Sequence, residues 1–591
     1  LANPDWPAGD NSLKKPMERF DVLNWYTSIG TPGNENGPPP PIRATTAVIS
    51  TPSPAPVAED DRGGEEAFSV IINEITWAGT ESNYYDEWIE LYNNTTSTVD
   101  LTGWKLISSD GSPDIALPTS TIAANSFYLM ERTNDDTISD ITADLIYTGA
   151  LSNSGENLEL RNAAGDLIDA VDCSSGWFAG DNITKQTMER ITNASGTDPQ
   201  NWASNNLITK NGLDADSNPI NGTPKAENSV TKNYTMLSGG ITFEENFTLK
   251  KLGSPYISDG PIHVLPDVTL SIEPGVIIKF QHGSSRTPYA ELKVEGSLSA
   301  IGSESQKIVF TSYKDGEYGG DTNNDGDTTQ PAAGDWDWVY FKDSASNLQN
   351  VIVRYGGKLH SSCCGEFPSY TYGAIYVDGG QLTISSSTVE KSETLGLWIK
   401  NSANSLINSS EFRNINTSWS KPAAIYIENG SSTISNSTFT DNNIGILVEN
   451  FANPTIENNT FEGNQTPIQI STLLPIISGN TAQNNNLDGI LVSGLGFSDT
   501  INQINWQKAG LPYILEGNII ISLDQTLNIK PGVEIKLKNA GRIYVDGTLR
   551  AEGTEDEKVV FTSLAQTSPG AWNFIKFSTS SIDSVLDNVV V

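Results

Sequence analysis

Cysteine, histidine and positive charge are all scarce in this chain. Three cysteines in 591 residues (Cys173, Cys363 and Cys364) are too few for a disulfide framework. The adjacent pair Cys363–Cys364 leaves open a vicinal disulfide or two thiols, and the reduced, structural state is the ordinary one. No C-x-x-C spacing occurs and there are only three histidines, which argues against zinc. Lysine and arginine total 35 against 72 aspartates and glutamates, a net charge of −37. That balance excludes a sequence-independent nucleic-acid binder and disfavours an anionic membrane surface, because both need excess cations on the protein. Divalent cations would relieve the self-repulsion. No run of 18 or more apolar residues reads as a membrane span. No secretory leader is visible, and the chain is expected to begin inside a domain.

What fills the sequence is polar and small. Hydrophobic residues are 37% and charged residues 18%, with Asn, Ser, Thr and Gly taking up the difference. Such a mixture suits many short strands and tight turns rather than long helices.

Internal repeats set the organisation. "WPAGDNSLKKPMERF" at Trp6–Phe20 matches "WFAGDNITKQTMERI" at Trp177–Ile191, and "GTPGNEN" at Gly30–Asn36 matches "GTPKAEN" at Gly222–Asn228. Residues 1–36 therefore read as the C-terminal remnant of a module whose second copy is complete at 67–228. A Pro-rich stretch at 37–66 separates them and reads as a semi-rigid linker. Further on, Ser254–Phe280 matches Leu511–Leu537, and "LQNVIV" at Leu348–Val353 matches "LDNVVV" at Leu586–Val591. A large unit at 241–497 thus recurs as a truncated copy at 500–591, within a region expected to run from 229 to 591.

Residues 67–228 alternate in short runs such as "FSVIINEI", "EWIELYN" and "VDLTGWKLIS", bounded by polar turns. That spacing predicts an all-β sandwich. The pattern through Asn73, Glu74, Glu87–Leu91, Asn93, Leu101, Gly103 and Trp104, continued by "NSGENLELRNAAGDLIDAV", resembles the lamin-tail domain family. The resemblance implies an immunoglobulin-like fold acting as an accessory or tethering module. Glu74, Glu87 and Glu90 are acids on strands, and alternation predicts that they lie on a solvated face.

From Tyr372 a shorter period takes over. Ile375, Leu397, Ile425, Ile446, Ile468 and Ile490 are spaced 22, 28, 21, 22 and 22. One coil every 21–22 residues predicts a parallel β-helix, since a single coil cannot close a core and must stack its aliphatic positions on the next. Phe439, Phe461 and Ala482 should form one such column. The pattern resembles bacterial right-handed parallel β-helix proteins, which is the source of the expected handedness.

Three features are candidates for chemistry. Tyr376, Trp398 and Tyr426 should stack on an outer face, either as a platform for sugar rings or as a ladder that stabilises the sheet. Asp378, Lys400, Glu428 and Glu449 should run beside them as ladder ion pairs, each weak. With Glu390, Glu393, Glu411 and Arg413 nearby, these are the only carboxylates for a polysaccharide lyase or hydrolase, and the sequence reads against catalysis. The third feature is "DTNNDGD". Asp321, Asn323, Asp325 and Gly326 match the first half of a calcium loop, but its twelfth position is Ala332 rather than Glu. Asp315, Asp327 or Asp335 would have to substitute. The loop is absent from the second copy, where Phe561–Phe577 replaces Phe310–Phe341 with 15 fewer residues. It is therefore a decoration of one coil, expected to act as a calcium clip.

The sequence thus reads as an all-β segment of a large, exported, modular protein, a fibre, stalk or adhesin that partners other copies of itself. Glycan binding is the alternative.

Overall fold

The computed structural model describes residues 68–281, 290–326, 328–359, 372–402, 404–416, 421–450, 452–471, 475–493, 502–538, 541–565 and 570–591, and the backbone of strands Met17–Arg19 and Trp25–Thr27. Cys363, Cys364, Asp327, the linker and most of residues 1–36 lie outside the described residues. The two N-terminal strands pair antiparallel with Arg19 opposite Trp25. Arg190 faces Trp202 in the same way, so the sequence repeat is also a repeat of register.

The sandwich has two antiparallel-based sheets. Six strands run in the order Leu145–Tyr147, Phe127–Arg132, Trp88–Asn93, Val70–Thr76, Met188–Arg190, Trp202–Ser204. Four strands face them: Leu167–Asp172, Asn157–Arg161, Lys105–Ser108 and Asp114–Ala116. Ile72, Ile89, Leu91, Leu106, Leu158, Leu160 and Ile168 fill the space between. Cys173 is buried there with its thiol free, and burial pushes it up to about 12.

The solenoid begins at Thr235–Leu237 and is all parallel. Its three faces are sheets of ten, fourteen and nine strands. On the fourteen-stranded face Ile375, Leu397, Ile425, Ile446, Ile468 and Ile490 stand in register, all fully buried. Phe412, Phe439 and Phe461 stack on the ten-stranded face with ring centroids 5.4 and 4.8 Å apart, and Ala482 continues the column. At about 4.8 Å per coil, the fourteen-stranded face extends roughly 60 Å.

The abundance of asparagine has a structural cause. Asn350, Ser386, Ser409, Asn436 and Asn458 occupy one turn on successive coils, all at φ between 49° and 56°. Short polar side chains tolerate this left-handed conformation best after glycine, and Gly479 continues the column. Inside the turns a second ladder runs. Asn442, Asn464 and Asn485 bond in sequence, each backbone amide donating to the next side-chain oxygen. Ser437, Asn459 and Asn480 do the same. Buried amides that no sheet can satisfy are thereby paired.

The second large copy enters rotated by one face. Tyr256 starts a strand of the ten-stranded sheet, whereas its equivalent Tyr513 pairs with Ile490 of the fourteen-stranded one. Only the fourteen-stranded sheet runs on into this copy; its other two faces are separate sheets of four and three strands.

Candidate functional site

The acidic insertion lies on the outer face of the ten-stranded sheet. Its floor is a column in which Ile257, Lys279 and Thr311 are in register, and Arg354, Glu390 and Arg413 follow. Lys279 is completely buried. Its ammonium donates to the Asp315 carbonyl at 2.8 Å, the Gly320 carbonyl at 2.7 Å and Thr322 Oγ1 at 3.0 Å. Burial lowers this amine to about 8, with Asp315 and Asp321 opposing the shift. Arg354 donates to Glu317 at 2.7 Å and to the Tyr355 hydroxyl at 2.8 Å. Its Nε lies 3.1 Å from Glu390 as an ion pair but without hydrogen-bond alignment. Trp336, at the far end of the insertion, enters the core, stacks on Phe280 and donates to the Arg354 carbonyl.

Of the six residues expected to bind calcium, the five described are not gathered together. Asp321, Asn323 and Asp325 do share one turn: Asn323 Nδ2 is 2.9 Å from Asp325 Oδ2, and the Gly326 amide donates to Asp321. Asp315 is instead buried, accepting from Thr311 and facing Arg354. Asp335 accepts from Ser312 and Ala332 and pairs with Lys314. These two acids serve the insertion's anchors rather than the turn. Asp327 lies outside the described residues. Among the described residues no three His, Cys, Asp or Glu side chains form a metal-holding group.

The aromatic column stacks, but it is covered. Tyr340, Tyr376, Trp398 and Tyr426 follow one another at centroid distances of 5.0, 5.0 and 5.5 Å, with Tyr372 laid against Tyr376 at 4.4 Å. Tyr376 is 3% exposed and Tyr426 1%, while Trp398 keeps part of its surface. The flanking charges depart from a simple ladder. Lys400 sits over the Trp398 ring, and Glu449 pairs with Lys421 across the Tyr426 hydroxyl. Asp378 and Glu428 accept instead from the asparagine side chains Asn401 and Asn450. Glu390 is claimed by both Arg354 and Arg413, Glu411 by Arg413, and Glu393 accepts from the Leu359 amide.

Residues 65–175 match the family model "Lamin Tail Domain", and residues 373–525 match "Right handed beta helix region". The chain carries both modules. Over 101 residues it is 36% identical to Protein bark beetle of Drosophila melanogaster, 17% of this chain and 3% of that protein's length. A solved alginate lyase from Paenibacillus sp. str. FPU-7 aligns over 55% of this chain and 93% of its own, at 12% identity and a TM-score of 0.18, too low to bear on function.

In the lamin tail domain the expected solvated acids are buried. Glu74 and Glu90 have no accessible surface and Glu87 has 4%. Alternation does place Glu74 and Glu90 on the face away from the sandwich core, but a strap at Asn205–Ser229 covers that face, while Glu87 is held by the Leu151 amide and Arg132. Burial raises Glu87 to about 7 despite its 3.0 Å pair with Arg132, and Glu90 to about 8. Sequence reasoning also missed Lys279 and Arg354 of the β-helix, whose partners come from a segment dozens of residues away.

Proposed function

We infer that the chain is a structural segment of a large extracellular or cell-surface protein, a stalk, fibre or adhesin that partners other copies of itself. The observation that carries this reading is the closed state of the cation cluster under the acidic insertion. A polysaccharide lyase needs its cations open to a carboxylate-bearing chain. Here Lys279 is fully buried and donates only to the insertion's oxygens, and Arg354 is 3% exposed and held by Glu317 of the insertion, the Tyr355 hydroxyl and Glu390. What remains is a stack of paired strands, and no described helix is long and apolar enough to cross a membrane. Surface labelling of intact source cells, combined with incubation of the purified chain with alginate and pectate, tests this. A surface label and unchanged polysaccharide support it. New unsaturated sugar ends at a catalytic rate overturn it.

Calcium at Asp321, Asn323 and Asp325 belongs to the same reading as a local clip. Two carboxylates and one amide suit a weak site of the kind found in extracellular modules, with a dissociation constant on the order of 10⁻⁴–10⁻³ M. A second reading is glycan binding at Tyr376, Trp398 and Tyr426. It draws on Trp398, which keeps part of its surface exposed within the aromatic stack. Glycan arrays with Trp398→Ala decide it; unchanged binding removes it.

A further inference from the structure

Three glutamates cross the outer face of the lamin tail sheet in one row. Glu90 stands directly opposite Glu74, and Glu74 directly opposite Glu189, on adjacent antiparallel strands. Opposed positions in such a ladder are about 4.5–5.5 Å apart at Cα. All three side chains are fully buried. Like charges this close, out of water, do not all ionise.

Hydrogen-bond counting leads to the same place independently. Thr223, on the strap, puts its Oγ1 3.0 Å from Glu74 Oε2 and 3.1 Å from Glu189 Oε1. A hydroxyl has one proton to give. Two carboxylates therefore share one donor, and a second proton is required on one of them to complete the contact. The remaining lone pairs are filled by neutral donors. Glu74 accepts from Thr187 and the Thr223 amide, and Glu189 from Asn205 and Ser229. Among the described residues no cation faces the pair. On the strap, Lys225 gives its amide to Glu90 but turns its ammonium to Asp144, and Lys210 lies near Glu81 and Glu245. On the sheet, Arg190 follows Glu189 but points to the opposite face, where it pairs with Asp169.

We propose that the strap Asn205–Ser229 is a proton-operated latch between the two modules, seated while Glu74 and Glu189 hold a proton across Thr223 and released when that proton leaves. The strap is placed to transmit this. Ile208 packs against the hydrophobic core of the β-helix. Both ends of the strap, Asn205 to Leu207 and Ser229, line a cleft of about 810 Å³ between the modules, which leaves room for movement. Burial first, then the neighbouring acids, raises Glu74 well above the ordinary carboxyl range, and burial raises Glu189. The motifs that define the sequence repeat acquire a reason. The M-E-R and G-T-P-x-x-E-N segments supply Glu189, Thr223 and Asn228 here, and the earlier copy keeps Glu18, Thr31 and Asn36.

The test is hydrogen exchange on the whole chain at about pH 5.5 and about pH 8.5, both above the ordinary glutamate value of about 4.3, corrected for intrinsic rates. The latch predicts at least tenfold lower protection across 205–229 at the higher pH, with the 423–449 coils unchanged. Glu189→Gln, which supplies a permanent donor to Thr223, should keep the strap protected at both pH values, and Glu74→Gln serves if that variant fails to fold. Equal protection of the native strap at both pH values overturns the proposal, as does a folded Gln variant that opens like the native chain.

Discussion

Lys279 and Lys536 hold the same position in the two large copies, yet Lys279 is sealed under the acidic insertion while Lys536 reaches solvent beside Glu534, 3.5 Å away. The coil tolerates either state, so a lysine at this position is not placed there for the insertion. The insertion uses it. A buried ammonium between two carbonyls and a hydroxyl does the work of a clip without any metal.

Lys279→Met should therefore loosen the insertion rather than unfold the coil. It leaves the Asp315 and Gly320 carbonyls without their donor. Hydrogen bonds to a charged group contribute about 1.5–3 kcal/mol each, although the recovered cost of desolvating the ammonium offsets part of this. The expected outcome is faster proteolytic cleavage within 313–335 at an almost unchanged global melting temperature. Lys536→Met should have no effect on cleavage anywhere.

Replacing residues 313–337 with the shorter link of the second copy, residues 564–573, should leave the solenoid folded. Trp572 packs partly against the same core and can take the place of Trp336. Calcium in the millimolar range should raise the melting temperature of the native chain slightly and leave the shortened chain alone. A calcium effect that survives the replacement would place the metal elsewhere.

How much of this was legible beforehand follows from which interactions are periodic. The column from Ile375 to Ile490 was readable because each coil repeats the last. The position of Tyr376 on an outer face was readable from the same alternation, but its burial was not, since coverage comes from segments outside the strand pattern. Glu74 shows the limit most clearly. Alternation assigned it to the polar face, and that is where it lies, but a polar face is solvated only if nothing folds back over it. The repeated G-T-P-x-x-E-N motif was the available sign that something does. Arg354 gave no sign at all, because its carboxylates are contributed by an insertion and by the next coil.

Asn464→Ala should be among the costliest single changes in the solenoid. The Asn464 amide donates to the Phe439 carbonyl and to Asn485, and its oxygen accepts from the amide and side chain of Asn442. Truncation strands several buried groups at about 1–3 kcal/mol each, so a loss of roughly 3–5 kcal/mol is expected by denaturant titration. Asn436→Ala, in the exposed left-handed turn, loses little beyond backbone strain, about 1 kcal/mol. Equal costs for the two would mean that the ladder contributes nothing beyond the turn.

The two modules should respond oppositely to acid. Burial raises Glu87 to about 7 and Glu131 to about 8, against an ordinary 4.5. Between those values the folded lamin tail domain keeps protons that the unfolded chain has released. By linkage its stability is greatest below about pH 4.5 and declines as pH rises through 7 and 8. Glu295 in the β-helix has the reverse sign. Lys342, His263 and Lys293 surround it and hold it at about 2. Its contribution is complete above 4.5 and is lost only as pH falls toward 2. Calorimetry from pH 5 to pH 8 should then show the lamin tail transition moving to lower temperature while the β-helix transition stays in place. Exchange protection in the strands Trp88–Asn93 and Phe127–Arg132 identifies which transition belongs to which module. A lamin tail transition that rises with pH over this range would mean that Glu87 and Glu131 are ionised and paired in the folded protein.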